Sequence, residues 1–254
     1  MEFRKVFNSI PEQFDKYRPR YTPELFADFI AYARITPEST VLELGPGTGQ
    51  ATDPILDTGC AYHGIEIGEN LAAKMMEKYG ERENFHIVVD DFITHDFGEQ
   101  RFDVIYSAAT IQWIPEKIAF TRCYELLKPG GVLAMFMTRT DERTPNAHFY
   151  DRIQQAYDIY FRPEKRYTCH MVYENAVHYG FEDFHYMDWK HRKFYTADEY
   201  CDYLAATQVS HITLREPHRS RFFGAVHAAV AENGNCMIHD DTTALYLTRK
   251  PAKA

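Results

Sequence analysis

Between Val41 and Arg139 the chain alternates short, nearly unbroken apolar runs with segments of helical periodicity. Val41–Gly45 (VLELG), Ala61–Ile67 (AYHGIEI), Phe85–Phe92 (FHIVVDDF), Phe102–Ala109 (FDVIYSAA) and Val132–Arg139 (VLAMFMTR) read as five strands. Their apolar character is near-continuous, as expected of strands covered on both faces. Gly49–Leu56, Glu69–Tyr79 and Pro115–Leu127 lie between them as helices, with Leu71, Met75 and Met76 at helical spacing in the second. Strands joined through helices predict βαβ units and a parallel sheet. Leu127–Gly131 (LKPGG) reads as a tight turn before the fifth strand. Upstream, Pro23–Ala33 predicts a helix with proline in its first turn. Downstream, Asn146–Phe161, Met171–Tyr179, Ala197–Ala206 and Pro217–Ala231 predict helices, the last stopped by Glu232-Asn233-Gly234. Phe181–Tyr195 and Cys236–Arg249 have strand character and are expected to extend the sheet edge.

Composition narrows what such a sheet could serve. The 254 residues carry 28 basic and 37 acidic side chains, a net charge of −9. That balance argues against a nucleic-acid partner, whose phosphates call for clustered Lys and Arg. No apolar run approaches the roughly 20 residues of a membrane span. The first 20 residues lack the apolar centre of a secretory signal. Cys60, Cys123, Cys169, Cys201 and Cys236 are scattered, with no CxxC pair, which fits reduced thiols in the cytoplasm rather than a disulfide or zinc framework. Tyr, Phe and Trp number 18, 18 and 2, and 18 of these rings fall within residues 148–223. The same window holds seven of the 12 histidines, so it is expected to form a separately packed lobe or a lining.

Chemistry concentrates where the first strand ends, in Val41-Leu-Glu-Leu-Gly45-Pro-Gly47-Thr-Gly49-Gln-Ala-Thr52. Glycines permit positive φ and a close approach of ligand to backbone. A turn at the C-terminal end of a strand is the usual crevice of an open α/β sheet. The spacing is GxGxG rather than the GxGxxG that seats a dinucleotide pyrophosphate. Glu43, two residues before Gly45, repels phosphate but suits a cationic amino group. The ligand expected is therefore a nucleoside with a zwitterionic amino-acid tail. Glu66 lies 21 residues after Gly45 at the end of the second strand, where a carboxylate accepts from both ribose hydroxyls. Asp91, ending the third strand, suits an adenine amine, with the Phe92 backbone at the ring edge.

These motifs, in this order and at these intervals, resemble the class I S-adenosylmethionine-dependent methyltransferases. The nearest branch is the small-molecule one that includes trans-aconitate methyltransferases. The resemblance spans roughly Phe7 to Thr248. It implies S-adenosylmethionine as cofactor and S-adenosylhomocysteine as product, with Glu43, Gly45, Gly47, Gly49, Glu66, Asp91 and Phe92 as cofactor residues. Ser107 and Ala108 match the positions beside the methionine tail. Ile67 and Gly68, at the ribose rim, replace a more usual polar or proline pair. Asp90 stands where the family often has a small residue, so Asp90 and Asp91 are open to an exchange of roles. Tyr17-Arg18-Pro19-Arg20-Tyr21-Thr-Pro23 resembles the family's N-terminal lid. That implies Arg18 at the cofactor carboxylate and Tyr17 near the sulfonium.

The expected architecture is α/β: a doubly wound, mostly parallel, seven-stranded Rossmann-like sheet with an inserted helical cap. Its expected parts are an N-terminal lid and helix (1–35), a cofactor core (36–145), an aromatic cap with the sixth strand (146–234) and a C-terminal edge strand (235–254). The expected reaction is methyl transfer to a small-molecule acceptor, without metal, by a monomer or homodimer that engages neither nucleic acid nor membrane. Tyr21, Gln112, Trp113, Arg139, His148 and His170 are candidate acceptor residues, with His211 a further candidate base. For each, ordinary packing or surface exposure is the competing reading. The clustered tyrosines, Tyr157 and Tyr160 among them, fit one buried helix face better than a substrate box. A nucleoside-binding protein without turnover and a nicotinamide-dependent oxidoreductase are the alternatives, the second opposed by the GxGxG spacing and Glu43.

Overall fold

The computed structural model describes residues 3–163 and 171–252. After a 3-10 stretch (Phe3–Ser9) come α1 (Pro11–Tyr17), α2 (Pro23–Ala33), β1 (Thr40–Leu44), α3 (Asp53–Leu56), β2 (Ala61–Glu66), α4 (Glu69–Tyr79), β3 (Phe85–Val89) and β4 (Phe102–Ala108). A 3-10 turn (Ile111–Trp113) leads to α5 (Glu116–Leu126), β5 (Leu127–Asp141) and α6 (Ala147–Tyr160). A second such stretch (Tyr173–Tyr179) precedes β6 (Glu182–Tyr195), α7 (Ala197–Thr207), α8 (Val209–Ile212), α9 (His218–Ala231) and β7 (Met237–Arg249). The seven strands form one sheet in the order β3-β2-β1-β4-β5-β7-β6. β1 pairs in parallel with β2 and β4, β2 with β3, and β4 with β5, as the βαβ pattern requires. Among the described residues no helix is long and apolar enough to cross a membrane.

The chain divides into two compact units. Among the described residues the sheet unit comprises 19–137, 171–189 and 243–252, and the helical unit 3–18, 138–163 and 190–242. The divisions fall inside β5, β6 and β7 rather than in loops near 145 and 234, because these long strands pass from one unit into the other.

In the sheet unit, alternate strand residues feed two separate cores. Val41, Tyr62, Val104, Tyr106 and Phe136 pack with Leu25, Phe26 and Phe29 of α2. Leu42, Leu44, Ile65, Ile105 and Met135 pack with Ala119, Phe120 and Cys123 of α5. Both faces are covered, which explains the unbroken apolar runs. In α4 the buried residues are Leu71, Ala72, Met75 and Tyr79, whereas Met76 is 52% exposed: it lies one position off the packed stripe. The expected turn at Leu127–Gly131 is instead a bulge within β5. Phe102 pairs with Leu127 but Val104 with Val132, and Gly130 at φ +80° absorbs the excess residues.

The helical unit has a core of its own, with Phe149, Ile153 and Ala156 of α6 against Tyr200, Leu204, Phe222 and Val226. α7 starts with a reciprocal capping box, Thr196 with Glu199. The aromatic excess is shared between the units. Tyr173 and Phe181 belong to the α5-side core of the sheet unit, while Phe149, Phe161, Tyr200 and Phe222 form the helical core.

Candidate functional site

Gly45, Gly47 and Gly49 follow β1 at φ +61°, +61° and +92°, where an L side chain is strained. Protein packing adds to the demand. A Cβ on Gly45 would run into the Thr110 side chain, and one on Gly49 would sit 2.8 Å from the Tyr79 ring. At these two positions the close approach is therefore made by the protein itself. Regular helix starts only at Asp53, not at Gly49, and α3 is four residues long.

The turn's polar groups are spoken for. Gly45 N–H donates to Ile65 O (2.9 Å) and Gly49 N–H to Pro46 O (2.9 Å). Gly47 N–H donates to Glu66 Oε2 (3.0 Å) and Thr48 N–H to Gln50 Oε1 (3.2 Å). On the carbonyl side, Thr110 Oγ1 reaches Gly45 O (3.0 Å), Lys78 Nζ reaches Thr48 O (2.7 Å) and Arg20 Nη1 reaches Gly49 O (3.4 Å). A pyrophosphate cradle needs several open backbone donors. Four donors here are already engaged, one of them by a carboxylate, which counts against a dinucleotide.

Two buried acids flank the turn. Glu66 is 4% exposed and accepts from Gly47 N–H and, on Oε1, from Gly68 N–H (2.9 Å). Burial pushes its carboxyl up to about 7 against the opposing pull of those backbone donors. Each oxygen keeps a lone pair for a further donor. Ile67 follows half-buried at the rim. Glu43 is fully buried, and its Oε2 receives the hydroxyls of Thr52 (2.7 Å), Tyr62 (2.6 Å) and Tyr106 (2.6 Å). Its Oε1 is buried with no hydrogen-bond partner. Burial raises this carboxyl too, opposed by the three hydroxyls. Oε1 is thus an orphaned buried acceptor beside the turn, and a ligand ammonium would satisfy it.

Asp90 and Asp91 divide their tasks. Asp90 Oδ2 pairs with His95 Nδ1 (2.8 Å), which holds its carboxyl below the usual range, and Oδ1 accepts Asp91 N–H. Asp91 Oδ1 caps the next turn through Ile93 N–H (3.0 Å). The Phe92 ring is buried, with the Arg122 guanidinium 5.3 Å from its centroid. Ser107 is fully buried and its hydroxyl accepts Ile111 N–H (2.8 Å), so it closes the turn after β4. Ala108 is half-buried, and Ala109 takes φ +56°, an uncommon conformation for a residue with a Cβ. Gln112 and Trp113 are half-buried in the 3-10 turn that follows. Tyr21 stands edge-on to Phe26 and Phe136, at 6.4 and 5.5 Å, and packs on the core.

Tyr17, Arg18, Arg139, His148 and His211 lie in the helical unit. Tyr17 OH donates to Asp202 (2.5 Å). Arg18 donates to Thr207 O (3.3 Å) and lies over Phe14 and Phe7. The arginine of this motif that bonds the glycine turn is Arg20, two residues on, beside Lys78 from α4. Arg139 and His148 are exposed, His148 beside Phe149 on α6. His211 is buried, holds the Tyr157 hydroxyl at 2.8 Å, and is pushed down to about 3 by burial, which keeps it neutral and removes it as a base at neutral pH. His170 lies outside the described residues. Arg20, Tyr62, Lys78, Tyr106 and Thr110 are the residues of the site that sequence reasoning missed. Apart from Arg20, which lies in the lid motif, no local motif marks them, because each reaches the turn or Glu43 from elsewhere in the chain.

Comparison with known proteins accords with this geometry. Residues 42–135 match the family described as "Methyltransferase domain". Phosphoethanolamine N-methyltransferase 2 of Caenorhabditis elegans is 33% identical over 106 residues, 40% of this chain and 24% of that protein. Malonyl-[acyl-carrier protein] O-methyltransferase 2 of Ilyobacter polytropus is 31% identical over 96 residues, 37% of each. The matches thus span well under half the length of these relatives. Among solved structures, phosphoethanolamine N-methyltransferase 2 of Haemonchus contortus, in complex with phosphomonomethylethanolamine and S-adenosylhomocysteine, superposes with a TM-score of 0.60 at 17% identity, covering 99% of this chain and 60% of that one. That likeness concerns the fold. With its glycine turn, acid pair and strand order, this chain is similar through residues 42–135 to the methyltransferase-domain family.

Proposed function

We propose that the protein binds S-adenosylmethionine at the C-terminal ends of β1 to β4 and directs its methyl group to a small-molecule acceptor. The observation that carries this reading is the glycine turn whose N–H groups are spent while the acids beside it keep acceptor capacity. Such a site takes hydroxyls and an ammonium rather than phosphate. When bound, S-adenosylmethionine supplies an activated methyl on sulfur, so the difficult chemistry resides in the cofactor. In this reading Glu66 accepts from the two ribose hydroxyls, and Glu43 Oε1 takes the ammonium of the amino-acid tail. Arg20 suits the tail carboxylate. The Asp91 carboxyl and Phe92 backbone meet the adenine edge, and Ala108 lines the tail. Gln112 and Trp113, on the turn after β4, remain the acceptor-side candidates, and the protein's task there is to align the nucleophile and exclude water.

The two relatives differ in acceptor, one named as a phosphoethanolamine N-methyltransferase and the other as a malonyl-[acyl-carrier protein] O-methyltransferase. Similar identity over the cofactor half accompanies different acceptors, so the acceptor is assigned here only as a small molecule. The buried free thiols Cys60 and Cys123 support a cytoplasmic location. Calorimetric titration with S-adenosylmethionine tests the reading first. Appearance of S-adenosylhomocysteine against a panel of amines, phosphoamines, carboxylates and phenols tests turnover. Binding of a nicotinamide dinucleotide without S-adenosylmethionine would overturn it.

A further inference from the structure

The two oxygens of Glu43 are treated unequally although both are buried. Three hydroxyls converge on Oε2, from Thr52, Tyr62 and Tyr106, and none on Oε1. Buried polar atoms are normally shared out among their donors. Fixing a single rotamer needs fewer than three bonds on one atom. The donors are also rigidly placed. Tyr62 is on β2 and Tyr106 on β4, the two strands that flank β1, and Glu43 lies in register with Gly64 and Tyr106. Gly64 leaves space for the phenol beside it, since a Cβ there would lie 3.3 Å from the Tyr62 hydroxyl. Each ring is stacked, Tyr62 on Phe85 at 5.4 Å and Tyr106 on Phe136 at 5.8 Å. The hydroxyls therefore arrive on Glu43 from both neighbouring strands with little freedom.

We infer that Tyr62 and Tyr106, with Thr52, are positioning residues that clamp one oxygen of Glu43 and reserve the other for the ammonium of the ligand's amino-acid tail. The inference rests on the cofactor reading above. Hydroxyl donors favour the carboxylate over the neutral acid, and a carboxylate oxygen left bare in the interior is costly until a cation meets it. A nucleoside without an amino-acid tail offers Oε1 nothing. The clamp is thus a selectivity device: it favours the tailed thioether nucleoside over its tail-less counterpart. Loss of one hydroxyl lets the carboxyl turn or take up a proton, and the ammonium contact weakens.

The test is calorimetric titration of the full chain with S-adenosylhomocysteine and, separately, with 5′-methylthioadenosine, which lacks the tail. In Tyr106→Phe and in Tyr62→Phe, affinity for S-adenosylhomocysteine is expected to fall roughly tenfold, the weight of one hydrogen bond to a charged group. Affinity for methylthioadenosine is expected to stay unchanged. Equal losses for both ligands, or no loss for either, would overturn the clamp, because a merely structural hydroxyl does not distinguish them. Thermal melting certifies the fold of each variant, and the two tyrosines provide independent routes should one variant not fold. If the unmodified protein binds neither nucleoside, it is the cofactor reading that fails. Binding of both with an unaltered ratio in the variants removes the clamp alone.

Discussion

In the sheet unit the buried acids Glu43 and Glu66 hold backbone and hydroxyl donors at strand ends and still have acceptor capacity left. In the helical unit two buried histidines, each with one polar partner, Tyr157 for His211 and Glu142 for His239, are otherwise enclosed by rings. Tyr157, Phe161 and Phe222 surround His211 at 4.6–5.6 Å. Tyr195, Tyr200 and Tyr203 surround His239 at 4.7–5.5 Å. The contrast separates two uses of burial. Low dielectric around an acid with fixed donors prepares it for a polar ligand. The same environment around His211 suppresses its charge and makes the imidazole part of a core. The aromatic excess of residues 148–223 is accordingly packing material in large part, engaged ring on ring, and it does not by itself outline an acceptor pocket.

Substitutions in the two units should therefore fail in different ways. The largest effect is expected for Phe222→Ala. The ring is fully buried against Tyr157, Phe161 and Phe223, and its removal is expected to cost about 3–5 kcal/mol of stability. Chemical denaturation reads this, while the folded fraction should bind S-adenosylhomocysteine normally; a matching loss of affinity would erase the distinction between the units. Glu66→Gln comes next and reverses the pattern. Affinity is expected to fall by about 1.5–3 kcal/mol, the range for hydrogen bonds to a charged acceptor. Stability should change less than affinity, since loss of the buried charge offsets the one backbone N–H, from Gly47 or Gly68, that the amide nitrogen no longer accepts. Unchanged affinity in titration would remove Glu66 from the ligand site.

The pH dependence sharpens the same point. The carboxyl of folded Glu66 titrates at about 7 against 4.5 for an ordinary glutamate. The folded state holds the proton more tightly, so this group's contribution to stability is full below the unfolded value and is lost as pH rises through about 7. Ribose hydroxyls require the carboxylate, so ligand affinity moves the opposite way, rising with pH and levelling off above about 7. At pH 6, titration in buffers of different ionisation enthalpy should show close to ~1 proton released on binding; no release would refute the linkage. The smallest effect concerns the two arginines. Arg20→Ala is expected to weaken S-adenosylhomocysteine binding roughly threefold, as for an exposed ionic contact, while Arg18→Ala leaves it unchanged. The opposite ranking would restore Arg18 to the cofactor carboxylate.

Much of the framework was readable from local pattern. α2 and α4 occupy the residues that periodicity assigns them, and the first four strands begin within one residue of their apolar runs. Those signals are local: burial on alternate or every third and fourth position is written along the element itself. Errors arose where long-range contacts decide. The LKPGG segment interrupts the register because Leu127 pairs with Phe102 while Gly130 and Gly131 bond to Lys250, and α3 is short because the preceding residues serve the glycine turn. Trp113 and Gln112 lie on the turn expected to follow β4, whereas Arg18 and His148 are placed by contacts that no motif contains.

The sequence by itself determined the alternating sheet, the position of the glycine turn and the presence of Glu43 and Glu66 at strand ends, since each follows from neighbours a few residues away. Only the tertiary structure decided what those acids do. Tyr106 reaches Glu43 across 63 residues and Tyr62 across 19, Thr110 fills the space at Gly45 across 65, and Arg20 meets the turn across 29. Burial, and with it the charge state of Glu66 and the bare oxygen of Glu43, is a property of everything packed around a residue, and no local pattern encodes it.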